Sequence, residues 1–168
     1  MHTRKRSLLA GGLLMMVLAK AYAADATITI NGKVVAKPCT VSTVSTTVDL
    51  GDLYTFNLLS AGAFSEWKSV TLSLTNCPVG TSKVTATFSG TADSSRSYYA
   101  NQGAARNIAL QLADSSGVNL PNGSTRVVTV NDASKAANVV LQVRAITPNG
   151  NVTQGSIQSL INVTYTYS

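Results

Sequence analysis

The sequence lacks most of the residues that catalytic and metal sites require. It has one histidine, His2, and only seven acidic residues among 168. His2 lies in the segment predicted below to be removed as a signal peptide. Without a histidine elsewhere, nucleophilic catalysis by a Ser-His or Cys-His arrangement is excluded. The acidic residues form no motif, and the closest pair, Asp49 and Asp52, is typical of a solvated turn. We therefore expect no enzymatic activity and no cofactor.

Cysteine is also scarce, with Cys39 and Cys77 the only two. Neither has another cysteine or a histidine nearby, so the spacing does not predict a metal site or a reactive pair. In an exported chain the two are expected to form a disulfide across 37 intervening residues. Such a bond would contribute roughly 3 to 4.5 kcal/mol to stability in the chain-entropy description.

Long apolar runs are absent apart from one near the start. Arg4–Arg6 are basic, Leu8–Ala19 form an apolar run of twelve residues, and Ala21–Ala23 match a small-x-small cleavage signal. This pattern is typical of a secretory signal peptide, and the run is too short to span a membrane. We predict a signal peptide over residues 1–23 and export without membrane insertion; an uncleaved anchor helix is the alternative.

Outside the predicted signal peptide, clusters of positive charge are missing as well. The chain has 13 basic and 7 acidic residues, but four of the basic residues lie in the predicted signal peptide, leaving nine against seven. These nine are scattered between Lys33 and Arg144. Nucleic-acid binding requires a basic patch or stripe, so a nucleic-acid partner is not expected.

Apolar stripes of helical period never exceed two turns, whereas short alternating runs recur. Turn clusters rich in Gly, Pro, Asn and Asp separate these runs, which is the signature of β-strands. The segment Leu53–Phe64 lacks alternation and is predicted to be a loop with a short helical turn. Short strands at this spacing with one disulfide predict a single all-β domain, an immunoglobulin-like β-sandwich. The predicted strands before the last one are Val70–Leu74, Val84–Phe88, Ile108–Leu112 and Val139–Ala145.

Three aromatic residues outside this framework have no obvious role. Trp67 precedes a predicted strand, and we favour packing over the alternative of a ligand platform. Tyr98 and Tyr99 lie in a stretch rich in Ser and Arg, and we expect them to pack at the surface.

The last predicted strand runs from Ile157 to the end of the sequence. Its odd positions are mostly apolar or aromatic and its even positions mostly polar, a two-residue period rich in β-branched and aromatic residues. No hairpin partner follows it. We therefore expect an open sheet edge, which is an aggregation hazard unless another strand covers it.

A second alternating segment, residues 24–37, precedes Cys39. Extended over about 13 residues at about 3.3 Å each, it would span roughly 43 Å. The Asn31-Gly32 pair also allows a hairpin, but arms of about five residues would be marginal in water, so we favour the extended strand. Its even positions are apolar or glycine: Ala26, Ile28, Ile30, Gly32, Val34 and Ala36.

The spare strand at one end and the open edge at the other complement each other. A strand donated by another molecule would complete the sandwich, with main-chain hydrogen bonds for affinity and side-chain pockets for specificity. Because each extension fills the groove of the next molecule, the contact need not close and would produce a fibre.

These features resemble the subunits of chaperone–usher pili, and among them the type 1 fimbrial family. The resemblance covers essentially the whole chain after residue 23. Its marks are residues 24–39, the Asn76-Cys77-Pro78 context, a glycine fourteenth from the end (Gly155) and a penultimate aromatic (Tyr167). The N-terminal stretch and the run Val48–Tyr54 look most like the minor adaptor of the tip fibrillum.

The resemblance implies an incomplete sandwich over residues 38–168 that lacks its final strand, with residues 24–37 as the donor strand. A periplasmic chaperone would first lend a strand to the groove, and at the outer-membrane usher the extension of an incoming subunit would replace it. Ala26 and Ile30 stand where the family carries valines. The implied acceptor residues are Gly155, Ile157, Ile161, Val163, Tyr165 and Tyr167.

The implied function is that of a minor adaptor joining the adhesin to the rest of a cell-surface fimbria, with other subunits as neighbours. A major rod pilin shares both end features and is one alternative. A single-domain receptor-binding adhesin is the other. A two-domain adhesin is not expected, because the 145 residues that remain after the signal peptide leave no room for a second domain.

Overall fold

A computed structural model describes residues 29–35 and 37–168. The predicted signal peptide and the predicted donor residues Ala26, Ile28 and Ala36 lie outside the described residues. The described residues divide into two units after Lys33. In the described part of the chain no helix is long and apolar enough to cross a membrane.

The regular secondary structure of the second unit consists almost entirely of β-strands. They form two antiparallel sheets, one of five strands in the order β1-β2-β7-β5-β4 and one of three in the order β6-β3-β8. One 3-10 helix, Thr55–Leu58, lies in the segment predicted to contain a helical turn. The two sheets confirm the predicted all-β sandwich. The strands are β1 Thr40–Val41, β2 Lys68–Thr75, β3 Lys83–Gly90, β4 Tyr99–Ala100, β5 Ala109–Asp114, β6 Thr125–Thr129, β7 Ala137–Ile146 and β8 Ile161–Tyr167.

The core lies between the sheets and follows from the alternation of side chains. In β3, Val84, Ala86 and Phe88 are fully buried, whereas Thr85 and Thr87 are only partly buried. Successive side chains of a strand point to opposite faces, so one apolar face can supply the core while the other stays polar. The period seen in the sequence therefore placed this strand correctly.

The strand β5 departs from this rule because all six of its residues are buried. Its outward side chains are covered by neighbouring elements. Arg144 donates a hydrogen bond from Nε to Gln111 Oε1 at 2.7 Å. Asn119 forms an isolated antiparallel β-bridge with Ala113. Burial on both faces explains why Ala109–Asp114 contains few polar residues.

The predictions for the strands of the sheet interior are confirmed, and three strands were missed. The two-residue strands β1 and β4 are too short to show a period. The strand β6 has five residues, and none of them is fully buried. These strands exist because their main chains pair with β2, β5 and β3, respectively.

The prediction for Tyr99 was wrong, because this residue is fully buried in the core. Its hydroxyl donates to the Leu120 carbonyl oxygen at 3.0 Å. Its ring lies against Gly90, where a β-carbon would approach Tyr99 Cδ1 to 2.9 Å. The polar composition around Tyr99 concealed a contact with residues that lie about ten and twenty positions away.

The predicted disulfide between Cys39 and Cys77 is formed, and both cysteines are buried. It joins the residue before β1 to the turn after β2. The adjacent pairing of Thr40 with Thr75 is in register with it. The disulfide thus fixes a strand that is only two residues long.

Candidate functional site

The strand β8 lies at the edge of the three-stranded sheet and, among the described residues, pairs only with β3. Next to this ladder, Ser168 and Lys83 exchange both main-chain hydrogen bonds, at 2.8 and 3.1 Å. Hydrogen-bonded and non-bonded pairs alternate along an antiparallel ladder. The even-numbered residues of β8 therefore bond to β3, whereas the odd-numbered residues direct their N–H and C=O groups to the open edge.

The odd-numbered residues of β8 also direct their side chains inward. Ile161, Val163, Tyr165 and Tyr167 are half-buried and pack against the core. The even-numbered Asn162, Thr164 and Thr166 are exposed. The same four odd residues therefore combine inward-facing side chains with main-chain groups that have no strand partner among the described residues.

An open groove of about 920 Å³ runs beside β8. One wall is formed by residues 45–53, which have no regular secondary structure, and the other by residues 155–161 and Val163. Among the described residues no main-chain hydrogen bond joins the two walls. The floor is formed by apolar side chains of both sheets: Val70, Leu72, Phe88, Leu110, Leu112, Leu141 and Val143.

The predicted start of the last strand was wrong, because β8 begins at Ile161 and not at Ile157. The preceding residues pair with the loop over residues 101–105 and not with β3. Gln158 N donates to Asn101 Oδ1 at 2.8 Å, and Gln102 N donates to the Gln158 carbonyl oxygen at 2.7 Å. The loop thereby holds residues 155–160, which line the groove beyond the end of the sheet.

Gly155 lies where this wall begins, and it contacts the same loop. A β-carbon on Gly155 would lie 2.6 Å from the Ala104 carbonyl carbon and closer still to the Ala105 nitrogen. Ala105 N also donates to the Ser156 carbonyl oxygen at 3.1 Å. Only a residue without a side chain allows this close approach of two main chains.

Two parts of the groove were not identified from the sequence. Ser159 lines the groove, and its hydroxyl is buried without a hydrogen-bond partner in the described structure. The sequence did not predict that residues 45–53 form a wall of the groove. Part of this segment, within the run Val48–Tyr54, stood out only through its family resemblance. Its irregular backbone leaves no period from which a strand-like role could be predicted.

The groove has an apolar floor and carries charge only on one wall. Asp49 and Asp52 are the only charged residues among those that line it. Burial raises the pKa of Tyr165, with a further contribution from Tyr167, and burial also raises the pKa of Tyr167. In the described residues no group of three or more His, Cys, Asp or Glu side chains could hold a metal ion.

The described donor residues are Ile30, Gly32 and Val34, and all three are exposed. Ile30 retains 89% of its accessible surface, and Val34 is fully accessible. Residues 29–35 contain neither a strand nor a turn. The hairpin considered for Asn31-Gly32 is therefore not seen in these residues, and the donor role stays a prediction.

Trp67 does not line the groove and instead packs against a cation. The Arg144 guanidinium carbon lies 4.2 Å from the centre of the Trp67 ring and 3.8 Å from the centre of the Phe64 ring. Burial lowers the pKa of Arg144, while interaction with Tyr98 raises it. The favoured interpretation of Trp67 as a packing residue agrees with this geometry.

Comparison with known proteins identifies relatives along nearly the whole chain. Residues 28–168 match the model of the family described as fimbrial protein. Protein FimG of Escherichia coli K12 is 60% identical over 164 residues, covering 98% of both chains. The S-fimbrial adhesin protein SfaS of Escherichia coli O6:K15:H31 is 40% identical, again over 98% of both chains.

Solved structures agree with the fold. The P pilus rod subunit PapA superposes with a TM-score of 0.67 at 19% identity, covering 79% of this chain and all of PapA. At that identity the likeness concerns the fold alone. The sequence relatives carry the assignment further: the chain belongs to the fimbrial protein family and is a structural subunit of a fimbria.

Proposed function

We propose that this subunit is the minor tip adaptor of a type 1 fimbria and that it polymerises by donor-strand exchange. The observation that carries the proposal is the edge of β8. Ile161, Val163, Tyr165 and Tyr167 direct main-chain groups to the open edge and pack their side chains against the core, and Ile161 and Val163 line the groove itself. Addition of an extended strand to such an edge satisfies both sets of groups at once.

The donor would be residues 24–37 of a neighbouring subunit or their equivalent. Burial of side chains such as Ile28, Ile30 and Val34 would contribute on the order of 1.5–3 kcal/mol each, before the cost of ordering the strand. Each ladder hydrogen bond would add roughly 0.5–1.5 kcal/mol. Together these contributions support a stable linkage between subunits that needs no covalent bond.

The remaining partners, a periplasmic chaperone and an outer-membrane usher, rest on the resemblance to chaperone–usher pilus subunits. A groove with an apolar floor needs an occupant before assembly, and a periplasmic chaperone that lends a strand fits this need. The outer-membrane usher is then the place where the occupant is exchanged. The tip-adaptor position rests on the resemblance of Val48–Tyr54 and agrees with the 60% identity to FimG.

Displacement of the chaperone by synthetic donor peptides tests the exchange. The purified chaperone-bound subunit is mixed with peptides that represent the extensions of neighbouring subunits. We expect a matching peptide to release the chaperone and to raise the unfolding temperature of the subunit. The matched control is the same peptide with one inward isoleucine replaced by aspartate. If no peptide displaces the chaperone, exchange at this groove is excluded.

A receptor-binding role is the second candidate, because the relative SfaS is named an adhesin. Saturable binding of the peptide-complemented monomer to a glycan array would favour this role. A major rod pilin is the remaining alternative, and the copy number in purified fimbriae distinguishes it. One or a few copies per fibre support the adaptor, whereas many copies contradict it.

A further inference from the structure

Three asparagines in this chain are each followed by glycine: Asn31-Gly32, Asn122-Gly123 and Asn149-Gly150. At such a pair the glycine nitrogen can attack Cγ of the asparagine side chain, because glycine has no side chain to obstruct it. The new C–N bond closes a succinimide ring, and the side-chain nitrogen leaves as ammonia. Water then opens the ring to aspartate or isoaspartate. The net change replaces an amide by a carboxylate without any redox step.

The folded domain holds two of these pairs in place. Gly123 N donates to the Phe88 carbonyl oxygen at 2.7 Å, and Asn122 Oδ1 accepts from Gly90 N at 3.0 Å. Both the attacking nitrogen and the attacked side chain are therefore engaged. Ring closure would require local opening of this turn, which lowers the reactive population.

The pair Asn149-Gly150 is constrained in a similar way. Gly150 N donates to Thr147 Oγ1 at 2.8 Å, and Gly150 itself is buried. A β-carbon on Gly150 would fall 2.9 Å from the Ala61 nitrogen, so the surrounding main chain leaves little room for movement. The Gly150 nitrogen cannot reach the Asn149 side chain without breaking this packing.

Asn31-Gly32 has none of these constraints. Both residues are exposed and lie outside regular secondary structure. Gly32 N makes no hydrogen bond to a described residue, and no atom of the described residues lies within 4 Å of the place where its β-carbon would be. We propose that Asn31 is a site of spontaneous deamidation and that this modification inactivates the extension as a donor strand.

The effect on the donor strand rests on the proposed function, whereas the modification itself does not. Isoaspartate adds one methylene group to the main chain. The alternation of side chains between the two faces of the strand is then interrupted at position 31, so Ile30 and Val34 cannot both point into the same groove. A strand with a register error at its centre presents half of its side chains to the wrong face.

Pairing would protect the site. In a strand seated in a groove the main chain of Asn31 is held extended, and the Gly32 nitrogen cannot rotate towards the side chain. Vacant extensions are thus modified with time, whereas assembled ones are preserved. This difference would remove old unassembled subunits from polymerisation without affecting existing fibres.

Peptide mapping by mass spectrometry tests the modification. The intact chaperone-bound subunit is incubated at mildly alkaline pH, and isoaspartate is detected by enzymatic methylation. We expect deamidation at Asn31 to be more than about tenfold faster than at Asn122 and Asn149, which serve as internal controls. Equal rates at the three positions would overturn the assignment.

Donor capacity is then measured with fresh and aged subunits and an acceptor subunit. Aged wild-type protein should lose donor activity in proportion to its isoaspartate content. N31Q should retain activity, and N31D should retain most of it because it adds the charge without the extra methylene group. If the deamidated protein donates as well as fresh protein, the inactivation is refuted. If fresh protein fails to donate while Asn31 still deamidates, the proposed function fails and the modification stands.

Discussion

The main chain of Gly155 lies directly against that of Ala105, so that a β-carbon on Gly155 would be 2.8 Å from Ala105 Cα. This contact joins the start of the groove wall to the loop over residues 101–105. The position of this wall therefore depends on the loop over residues 101–105 as well as on β8.

Replacement of Gly155 by alanine should destabilise the domain by about 1–3 kcal/mol, because the added carbon meets main-chain atoms that cannot move aside independently. Urea denaturation measures the change. Q154A, at the exposed neighbouring position, is the control and should change stability by less than about 0.5 kcal/mol. A G155A variant as stable as the wild type would show that the loop can move away freely.

Charge placed on the inward face of β8 should block donor-strand binding. V163D puts a carboxylate into the apolar groove, where a bound strand would bury it without a partner. T164D puts the same charge on the exposed face and is the matched control. The rise in unfolding temperature on addition of a donor peptide should vanish in V163D and persist in T164D. Equal responses in the two variants would contradict the assignment of faces.

The two sheets are joined by an ion pair between Asp114 of β5 and Arg126 of β6, with 3.0 Å between Asp114 Oδ2 and Arg126 Nη1. Asp114 is 1% exposed and also accepts from Ser116 N and Val118 N, whereas the Arg126 side chain is 42% exposed. D114A should therefore cost about 2–4 kcal/mol, since it removes the ion pair together with two hydrogen bonds from main-chain N–H groups to a carboxylate.

Arg126 should contribute less, because solvent screens its half-exposed guanidinium. We expect about 1–2 kcal/mol for R126M. A double-mutant cycle with D114A isolates the energy of the pair itself. A coupling energy of zero would mean that Asp114 acts only through its main-chain hydrogen bonds.

Stability should decline in alkaline solution because of Tyr99. Burial raises the pKa of Tyr99 from its ordinary value of 10.0 to about 12. Between these values the unfolded chain loses the phenolic proton and the folded one keeps it, so stability is full below about pH 10 and falls as pH rises towards 12. Burial raises the pKa of Tyr165 as well, which acts with the same sign.

Urea denaturation on both sides of pH 10 measures this dependence. One such group contributes a slope of up to about 1.4 kcal/mol per pH unit. Y99F should reduce the slope, and at neutral pH it should cost about 0.5–1.5 kcal/mol through loss of the hydrogen bond to Leu120. Tyr54, which is exposed, provides the control substitution Y54F. An unchanged slope in Y99F would rule out Tyr99 as its source.

Features that depend on local pattern could be predicted from the sequence. The two-residue period placed β2, β3, β5 and β7 because it records which face of each strand is buried. Scarcity of histidine argued against Ser-His and Cys-His catalysis, and the two cysteines predicted the one disulfide that is formed. The sequence also located an apolar, strand-like segment at each end, which is the basis of the proposed linkage.

Other features arise only when distant segments meet. The burial of Tyr99 depends on Gly90 and Leu120, and the wall before Ile161 depends on hydrogen bonds from Asn101 and Gln102. The groove itself requires residues 45–53 and 155–163 to stand apart over a floor shared by two sheets. Periodicity encodes the burial of a segment but not the identity of its neighbours, so the sequence determined the inward face of β8 and the tertiary structure determined the groove beside it.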